Sequence, residues 1–169
     1  MATIKTDYVA SSNLTITVAG LATSSTLVLG REATSVDNGT DGNLDFQLAG
    51  QITTGTSPTA GQIEVWVVPK LNDSTWPTAG SDCFGGTDSA ATVYSRDILH
   101  ACGRQAAVMI TDSTSDRAYP FCNTSLRRLF EGILPSEWTV FVTHNTAVNL
   151  NATGSNHFIS ITPERATST

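Results

Sequence analysis

The stretch GQIEVWVVPK, residues 61–70, decides the fold class. Ile63, Val65 and Val67 occupy alternate positions, so an extended chain places these aliphatic side chains on one face, while the opposite face is mixed. Pro69 closes the segment, because proline lacks the backbone N–H that a sheet ladder uses. The pattern predicts a long β-strand near the middle of a sheet.

The same two-residue period recurs on both sides of this strand. It predicts strands over residues 13–20, 25–30, 44–55, 105–112 and 137–145, and a last strand over 157–162 that forms a hairpin with 137–145. Clusters of Gly, Asn, Asp, Ser and Pro separate these segments and mark turns. SLRRLFEGILP (125–135) predicts a helical turn, whereas YSRDILHACG (94–103) is ambiguous between a short strand and a turn of helix.

Many short strands with frequent turn signals are typical of an all-β sandwich. We therefore predict a single-domain, jelly-roll-like β-sandwich of about eight strands, with one short helical turn and a long polar loop over 71–91. The expected organisation is an N-terminal arm (1–12), the β-sandwich (13–163) and a frayed tail (164–169). A chain of 169 residues is about the size of one domain.

Composition supports a β-rich chain and excludes some partners. The sequence has 26 Thr and 17 Ser, and Thr fits a pleated surface better than a helix. The net charge is −6 with only two lysines, Lys5 and Lys70, so no basic stripe is available to follow a phosphate backbone. No apolar run approaches the roughly 18 residues of a membrane span, and the N-terminus lacks an export signal pattern. We expect neither nucleic acid nor membrane among the partners.

The cysteines form an odd set at Cys83, Cys102 and Cys122. Their spacings lack the paired pattern that gathers thiolates around a metal, so we expect reduced thiols in a protein made in a cytosol.

Candidates for catalysis or metal binding are sparse. His144 and His157 lie on the two strands of the predicted hairpin and could come close enough to share a metal, but no third ligand is visible, and two rim histidines are the favoured interpretation. His100 and Cys102 would share a face in a strand and could form a thiolate–imidazole pair, although a buried structural cysteine is the ordinary outcome.

The turn-rich stretch 36–42 has the composition of a calcium loop. Asp37, Asp41 and Asp45 flank its glycines, yet the spacing and distal glutamate of an EF-hand are missing, so a hairpin turn is favoured. Gly85–Gly86 neither opens a helix nor follows a strand, which argues against phosphate binding. We expect no catalytic residues, no metal and no cofactor; the protein is predicted not to be an enzyme.

The aromatic residues divide by their surroundings. Trp66 and Trp138 lie in alternating strands and are expected in the core or on a sheet face. Trp76 lies in the polar loop 71–91 and is either tucked against the sandwich or presented to a partner. Arg127–Arg128 are typical of a solvated helix face, although arginine is also enriched at interfaces.

Two stretches together resemble the head decoration, or cement, proteins of tailed bacteriophages. QITTGTSPTAGQIEVWVVPKLNDSTWP (51–77) is similar to their threonine-glycine loop, strand and polar Trp-Pro loop, and LPSEWTVFVTHNTAVNLNATGSNHFISITP (134–163) is similar to their C-terminal strand pair. The resemblance implies a jelly-roll subunit that binds the outside of an assembled capsid, commonly as a trimer, and clamps neighbouring major capsid subunits. It also implies a location on the virion surface after synthesis in the host bacterial cytoplasm, and it carries over no catalytic residues.

We expect the contacting surface to combine the N-terminal arm with the 71–91 loop. The residues predicted to contact the partner are Ile4, Tyr8, Trp76, Phe84, Arg127 and Arg128. The alternative is a carbohydrate-binding module of a phage tail or fibre, in which Trp76 with Asp73 and Asp82 would recognise host glycans. Exposed coplanar aromatics on one sheet face would favour the glycan hypothesis, whereas a flat interface and a grasping arm would favour the capsid hypothesis.

Overall fold

A computed structural model describes residues 3–80 and 83–168 of the protein. In chain order the elements are β1 (Ile4–Tyr8), β2 (Ser12–Asn13), β3 (Leu29–Glu32), β4 (Val36–Asp37), β5 (Asp45–Thr53), β6 (Gly61–Pro69), β7 (Ser89–Thr92), α1 (Arg96–Cys102), β8 (Arg104–Thr111), β9 (Ala118–Ser125), α2 (Leu126–Leu129), β10 (Glu137–His144), a 3-10 turn (Gly154–Asn156) and β11 (Phe158–Ser168).

The strands form two antiparallel sheets. Sheet A has the order β1-β11-β5-β9, with β2 also paired to β11; sheet B has the order β7-β3-β10-β6-β8, with β4 also paired to β10. The pairs nest, because β1 and β2 pair with β11, β3 with β10, β5 with β9, and β6 with β8. A chain folded into one long hairpin and then rolled up gives this arrangement, so the predicted jelly-roll β-sandwich is confirmed.

The main core lies between the two sheets. Alternate residues of β5 and β6, which include Leu48 and Val65, turn inward and are fully buried. Trp138 of β10 is also fully buried, and its ring meets the edge of Phe46 with centroids 5.5 Å apart. The aliphatic face of residues 61–70 is therefore buried in the core as predicted, and Trp138 is a core residue as expected.

A second apolar cluster covers the outer face of sheet B. Trp66 and Phe141 project outward from β6 and β10 and are fully buried beneath Phe84, from the long connection between β6 and β7, and Leu99 of α1. Both faces of β6 are thus covered. Within sheet B the strand lies between β10 and β8, which agrees with the predicted position near the middle of a sheet.

The strands predicted over 13–20 and 25–30 are wrong in extent. Ladder pairing is confined to β2 and β3, and residues 14–28 between them have no strand assignment. The alternation nevertheless predicted burial correctly, since Leu14, Ile16 and Val18 pack against the main core. The segment passes from sheet A to sheet B, so no neighbouring strand pairs with it along its length. Its inward side chains still produce the apolar alternation that is typical of a strand.

The predicted hairpin between 137–145 and 157–162 is also wrong. Strand β10 lies in sheet B beside β3 and β6, whereas β11 lies in sheet A beside β5. The last two strands of a jelly roll belong to opposite sheets, so the connection over 145–157 crosses the end of the sandwich. Local alternation cannot distinguish this crossover from a hairpin turn.

The two termini and the ambiguous segment differ from expectation as well. Residues 164–168, predicted as a frayed tail, continue β11, and residues 4–8 of the arm pair with them as β1. The ambiguous stretch 94–103 contains helix α1, whose N-cap Ser95 accepts the Ile98 N–H at 3.2 Å. The predicted helical turn within 125–135 is confirmed as α2.

Candidate functional site

Strand β1 and residues 164–168 of β11 form an exposed two-stranded ribbon. Its register runs from Ile4 opposite Ser168 to Tyr8 opposite Glu164. Glu164 is the last β11 residue paired with β5, so the ribbon extends beyond the edge of the sandwich. All five residues of β1 are exposed, including Ile4 at 76% and Tyr8 at 60%.

The two faces of the ribbon differ chemically. Ile4, Thr6 and Tyr8 alternate with Lys5 and Asp7, so one face carries the two large apolar side chains and the other carries opposite charges. The structure thus brings Ile4 and Tyr8, two predicted contact residues, to one face of a projecting element. This pair of exposed apolar side chains makes the ribbon a candidate interaction surface.

The base of the ribbon is tied to α2 through Asp45. Tyr8 lies opposite Glu164, and Glu164 lies opposite Asp45 in the adjacent strand. The buried Asp45 carboxylate accepts the Arg127 N–H at 2.7 Å and a hydrogen bond from the Ser125 hydroxyl. The ribbon and the start of α2 therefore form one connected surface.

This end of the molecule also carries free positive charge. Arg127 and Arg128 are exposed, and within the described residues neither guanidinium makes an ion pair with a carboxylate. An open groove of about 470 Å³ beside Arg128 is bordered by residues 123–125 and Leu129.

Ile133, just after α2, is 80% exposed. We call the ribbon, α2 and Ile133 together the ribbon end; Ile133 belongs to it but was missed by sequence reasoning, since one isoleucine in a turn carries no pattern.

The aromatic residues of the long loop do not join the ribbon end. Phe84 is 6% exposed and packs edge-on against Phe141, with centroids 5.7 Å apart. Trp76 is half-buried on the second cluster, and the Lys70 ammonium lies 5.6 Å from its ring centroid. Of the two possibilities left open for Trp76, the structure shows the tucked one, and Phe84 has no surface to offer a partner in this conformation.

A buried carboxylate that the sequence did not reveal holds this loop. Glu32 is fully buried and accepts the N–H groups of Gly85 at 3.0 Å and Gly86 at 2.7 Å. Burial raises the pKa of Glu32, and these amide bonds oppose the rise. Gly85–Gly86 thus cradle a carboxylate of the chain itself, which is a structural role for the glycine pair.

A second buried carboxylate links α1 to sheet B. Glu64 is fully buried, lies 2.7 Å from the Arg96 guanidinium and accepts the Trp66 indole N–H at 2.9 Å. In the sequence, the sign of this buried carboxylate is a single glutamate among the valines of residues 61–70. Both carboxylates have partners, so they serve to attach covering elements to the sheet.

The two histidines considered for a metal site have separate structural roles. His144 hydrogen-bonds Thr146 through Nδ1 and the Leu21 carbonyl through Nε2, both at 3.0 Å, while His157 uses its two nitrogens on Thr53 and Asn151. Each ring nitrogen is therefore occupied by protein. Within residues 3–80 and 83–168, no group of three His, Cys, Asp or Glu side chains is arranged to hold a metal.

The His100–Cys102 pair does not form a catalytic arrangement. Both residues lie in helix α1 rather than in a strand, so a spacing of two places them on different faces. His100 packs edge-on against Trp66, with centroids 4.6 Å apart. Burial raises the pKa of the Cys102 and Cys83 thiols, which disfavours the reactive thiolate. Cys83, Cys102 and Cys122 are all free thiols.

The 36–42 stretch forms a turn, but not the predicted hairpin turn, because β4 before it belongs to sheet B and β5 after it belongs to sheet A. Asp37 accepts the Gly39 N–H at 2.7 Å, an Asx turn, and Gly42 adopts a φ of 61°. Asp45 points instead to the base of α2. Asp73 is exposed, and Asp82, its partner in the glycan hypothesis, lies outside the described residues.

Comparison with known proteins places the chain in no established family: no protein-family model matches it, and no curated protein is found to be similar. Among the described residues, no helix has both the length and the apolar character needed to span a membrane.

Proposed function

We propose that this protein is a structural virion protein, a decoration or cement protein that binds the outer surface of an assembled phage head through its ribbon end. The observation that carries the proposal is the β1–β11 ribbon, which is exposed on both faces and presents Ile4 and Tyr8. The resemblance of residues 51–77 and 134–163 to decoration proteins supplies the class of partner, the major capsid protein.

The ribbon has the physical properties of a grasping element. A two-stranded antiparallel ribbon is marginally stable in water unless something covers one of its faces. Full burial of an isoleucine or a comparable side chain contributes roughly 1.5–3 kcal/mol. A shell subunit that covers Ile4 and Tyr8 would therefore stabilise both the ribbon and the complex.

The arginines of α2 add an electrostatic component. The chain has a net charge of −6, and Arg127 and Arg128 are two exposed cations of α2. Such charges steer association and fix orientation more than they add affinity. We expect them to face acidic side chains on the capsid surface.

The mechanism is stabilisation by mass action. A protein that binds the assembled lattice but not free subunits shifts the equilibrium towards the closed shell. As a homotrimer, each particle-bound unit would present three ribbons to neighbouring capsid subunits, and this multivalency would turn modest single contacts into tight binding. The protein would be made in the host cytoplasm and act on the virion surface, without catalysis or cofactor.

The test is binding to assembled particles from the same source, measured by co-sedimentation and titration. The double variant Ile4→Ser/Tyr8→Ser should bind at least about 30-fold more weakly, because interface aromatic and aliphatic anchors dominate affinity. The matched control is Tyr94→Ser/Ile110→Ser, which removes a Tyr and an Ile of similar exposure, 65% and 71%, away from the ribbon.

Two results would count against the proposal. If the wild-type protein does not bind particles at saturating concentration, the decoration function is wrong. If both double variants lose binding equally, the ribbon has no special part in it.

The glycan hypothesis gains no support from this geometry. Trp76 is half-buried with Lys70 over its ring, so it offers no open stacking platform. On the outer face of sheet A the exposed aromatic side chains are Phe158 and Tyr8, but Tyr8 lies opposite Glu164, six positions along β11 from Phe158, so the two rings are not neighbours.

A further inference from the structure

Strand β8 lies at the edge of sheet B, with β6 on one side and no paired strand on the other within the described part of the chain. Proteins usually protect such edges, because a row of unpaired N–H and C=O groups attracts another strand. Strand β7 at the opposite edge has only four residues, and β9 at one edge of sheet A is interrupted by Pro120 and by Asn123 with a φ of 48°. Strand β8 has eight residues and contains no proline, lysine or acidic residue. It is therefore a long edge without the usual protection.

The main-chain groups of Val108 and Ile110 face this open edge. The N–H and C=O groups of Gln62 in β6 both bond to Asn145, at 2.7 and 3.1 Å, so they point away from β8. In an antiparallel ladder, opposite residues either exchange their main-chain hydrogen bonds or both turn these groups outward. Ile110 lies opposite Gln62, and Val108 lies opposite Glu64, two positions further along. Both residues of β8 thus present a donor and an acceptor to solvent.

The side chains of the same two residues are apolar and exposed. Val108 is 43% exposed and Ile110 is 71% exposed, and both project from the outer face of sheet B beside β6. An added strand gains affinity from main-chain hydrogen bonds and specificity from contacts at alternate side chains. The edge of β8 offers both, so the partner that it fits is an extended segment of polypeptide.

We propose that β8 pairs antiparallel with β8 of a second copy of this chain, centred on Val108. Val108 of each copy then donates its N–H to the Val108 carbonyl of the other. Arg104 precedes Val108 by four positions and Asp112 follows it by four, so the pairing brings the arginine of each copy beside the aspartate of the other. Arg104 is exposed and, among the described residues, makes no ion pair with a carboxylate. The edge is therefore complementary to itself in charge as well as in main-chain groups.

The residues on either side of Val108 also favour a second copy over an unrelated segment. The Asp112 side chain is 50% exposed although it pairs with Arg117 of its own chain, so its carboxylate can accept a further cation. The pairing places Ile110 beside Ala106 of the other copy, a large side chain against a small one. Ala106 is the residue that the ladder between β8 and β6 skips, and the long side chain of Arg104 accommodates this irregularity.

The contact is two-fold, so it differs from the three-fold contact of the proposed homotrimer and does not rest on it. A single edge covers less than the roughly 800 Å² per partner of a stable interface, so we expect reversible association and not a permanent dimer. Neighbouring copies on a shared surface would favour the contact, because effective concentrations there reach the millimolar range.

The test is self-association in the absence of particles, so its result is independent of the decoration function. Average mass is measured by light scattering from low micromolar to millimolar concentration and should rise for the wild type. Val108→Pro removes the N–H that faces the edge, where proline is tolerated, whereas the matched control Val108→Ser loses the same apolar side chain and keeps the N–H. We expect Val108→Pro to associate at least about tenfold more weakly than Val108→Ser, because the bond is lost in both copies. Ile110→Ser likewise keeps its main-chain groups and should leave the pairing in place.

Two further measurements guard against misfolding of the proline variant. Amide hydrogen exchange of Val108 and Ile110 in the wild type should slow as concentration rises, while that of the exposed Ser113 should not. Arg104→Asp alters no main-chain group and should also weaken association, because it places like charges together.

Several outcomes would overturn the inference. They are a wild-type mass that stays constant up to millimolar concentration, equal association of Val108→Pro and Val108→Ser, and undiminished association of Arg104→Asp. Protection of the Val108 and Ile110 amides by capsid particles alone would assign the edge to a segment of the shell, and the inference would again be wrong.

Discussion

Glu32 shows how one buried residue organises a long connection. Its carboxylate accepts two consecutive amide N–H groups, and the second belongs to Gly86, which has a φ of 72°. A Cβ atom at residue 86 would lie 3.0 Å from the ring of Trp76, so the close approach and the backbone angle both favour glycine. Glu32 thereby fixes the loop that covers the outer face of sheet B.

Removal of this carboxylate should loosen the loop. We expect Glu32→Ala to lower the free energy of unfolding by about 2–3 kcal/mol, because two amide groups lose a charged acceptor. Glu32→Gln keeps one carbonyl oxygen and should cost less. Urea unfolding measures the first effect, and limited proteolysis within residues 71–88 should become faster. Glu131→Ala, at an exposed position, is the control; equal stability of Glu32→Ala and this control would show that the loop is held by its apolar contacts alone.

At the scale of elements, a histidine at each end of the connection over 145–157, His144 and His157, forms hydrogen bonds that hold it in place. His144 holds the carbonyl of Leu21, and His157 accepts the Thr53 N–H through Nδ1 at 3.2 Å while its Nε2 faces the Asn151 carbonyl at 2.8 Å. Proton uptake at Nδ1 of His157 would place two donors against each other and break the first of its bonds. The connection is therefore built around a neutral imidazole.

This arrangement predicts a pH dependence of stability. Burial lowers the pKa of His157 and of His144 from 6.5 in the folded state, so the unfolded chain binds protons more readily. Stability should be complete above about pH 6.5 and fall as the pH is lowered, by at most about 1.4 kcal/mol per pH unit for each histidine. Urea titrations between pH 7.5 and 5 measure the slope. His157→Asn can keep the bond from Thr53 without titrating and should reduce the slope; an unchanged slope would contradict the assignment to His157.

The elements also show what the sequence could and could not predict. Alternation identified the buried faces of residues 61–70 and 137–145, and even the inward side chains of residues 14–18, because burial depends on local pattern. Strand partners depend on contacts distant in sequence, so the crossover after β10 was mistaken for a hairpin. The ribbon was missed as a strand pair because both of its faces are exposed, and an element without a buried face leaves no apolar pattern.

For the candidate site, too, the sequence predicts individual residues but not how the fold brings them together. Composition points to Ile4, Tyr8, Arg127 and Arg128 as contact residues, but their placement at one end depends on the pairing of β1 with β11 and on the Asp45 bond to α2. The polar composition of the 71–91 loop likewise predicts that Phe84 is available to a partner. Its burial follows from the apolar outer face of sheet B, which no pattern within 71–91 reveals.

For the whole molecule, the question is whether residues 1–12 alone or the complete ribbon, which also includes residues 164–168, would bind the capsid. Neither β1 nor residues 164–168 contribute to either apolar cluster, so the sandwich does not depend on them. Truncation of residues 1–8 and truncation after Glu164 should each change the free energy of unfolding by less than about 1 kcal/mol. Each should also weaken particle binding as much as Ile4→Ser/Tyr8→Ser, because either strand alone loses its hydrogen-bonded partner.

The two truncations separate the alternatives through titration of particles with each purified form. If truncation after Glu164 leaves particle binding intact while loss of residues 1–8 abolishes it, the arm binds as an extended peptide and β11 has no part in recognition. If both truncated forms bind as tightly as the full chain, the ribbon end is not the contact. Equal loss in both, with unfolding transitions close to that of the full chain, is the outcome expected of a ribbon that acts as one unit.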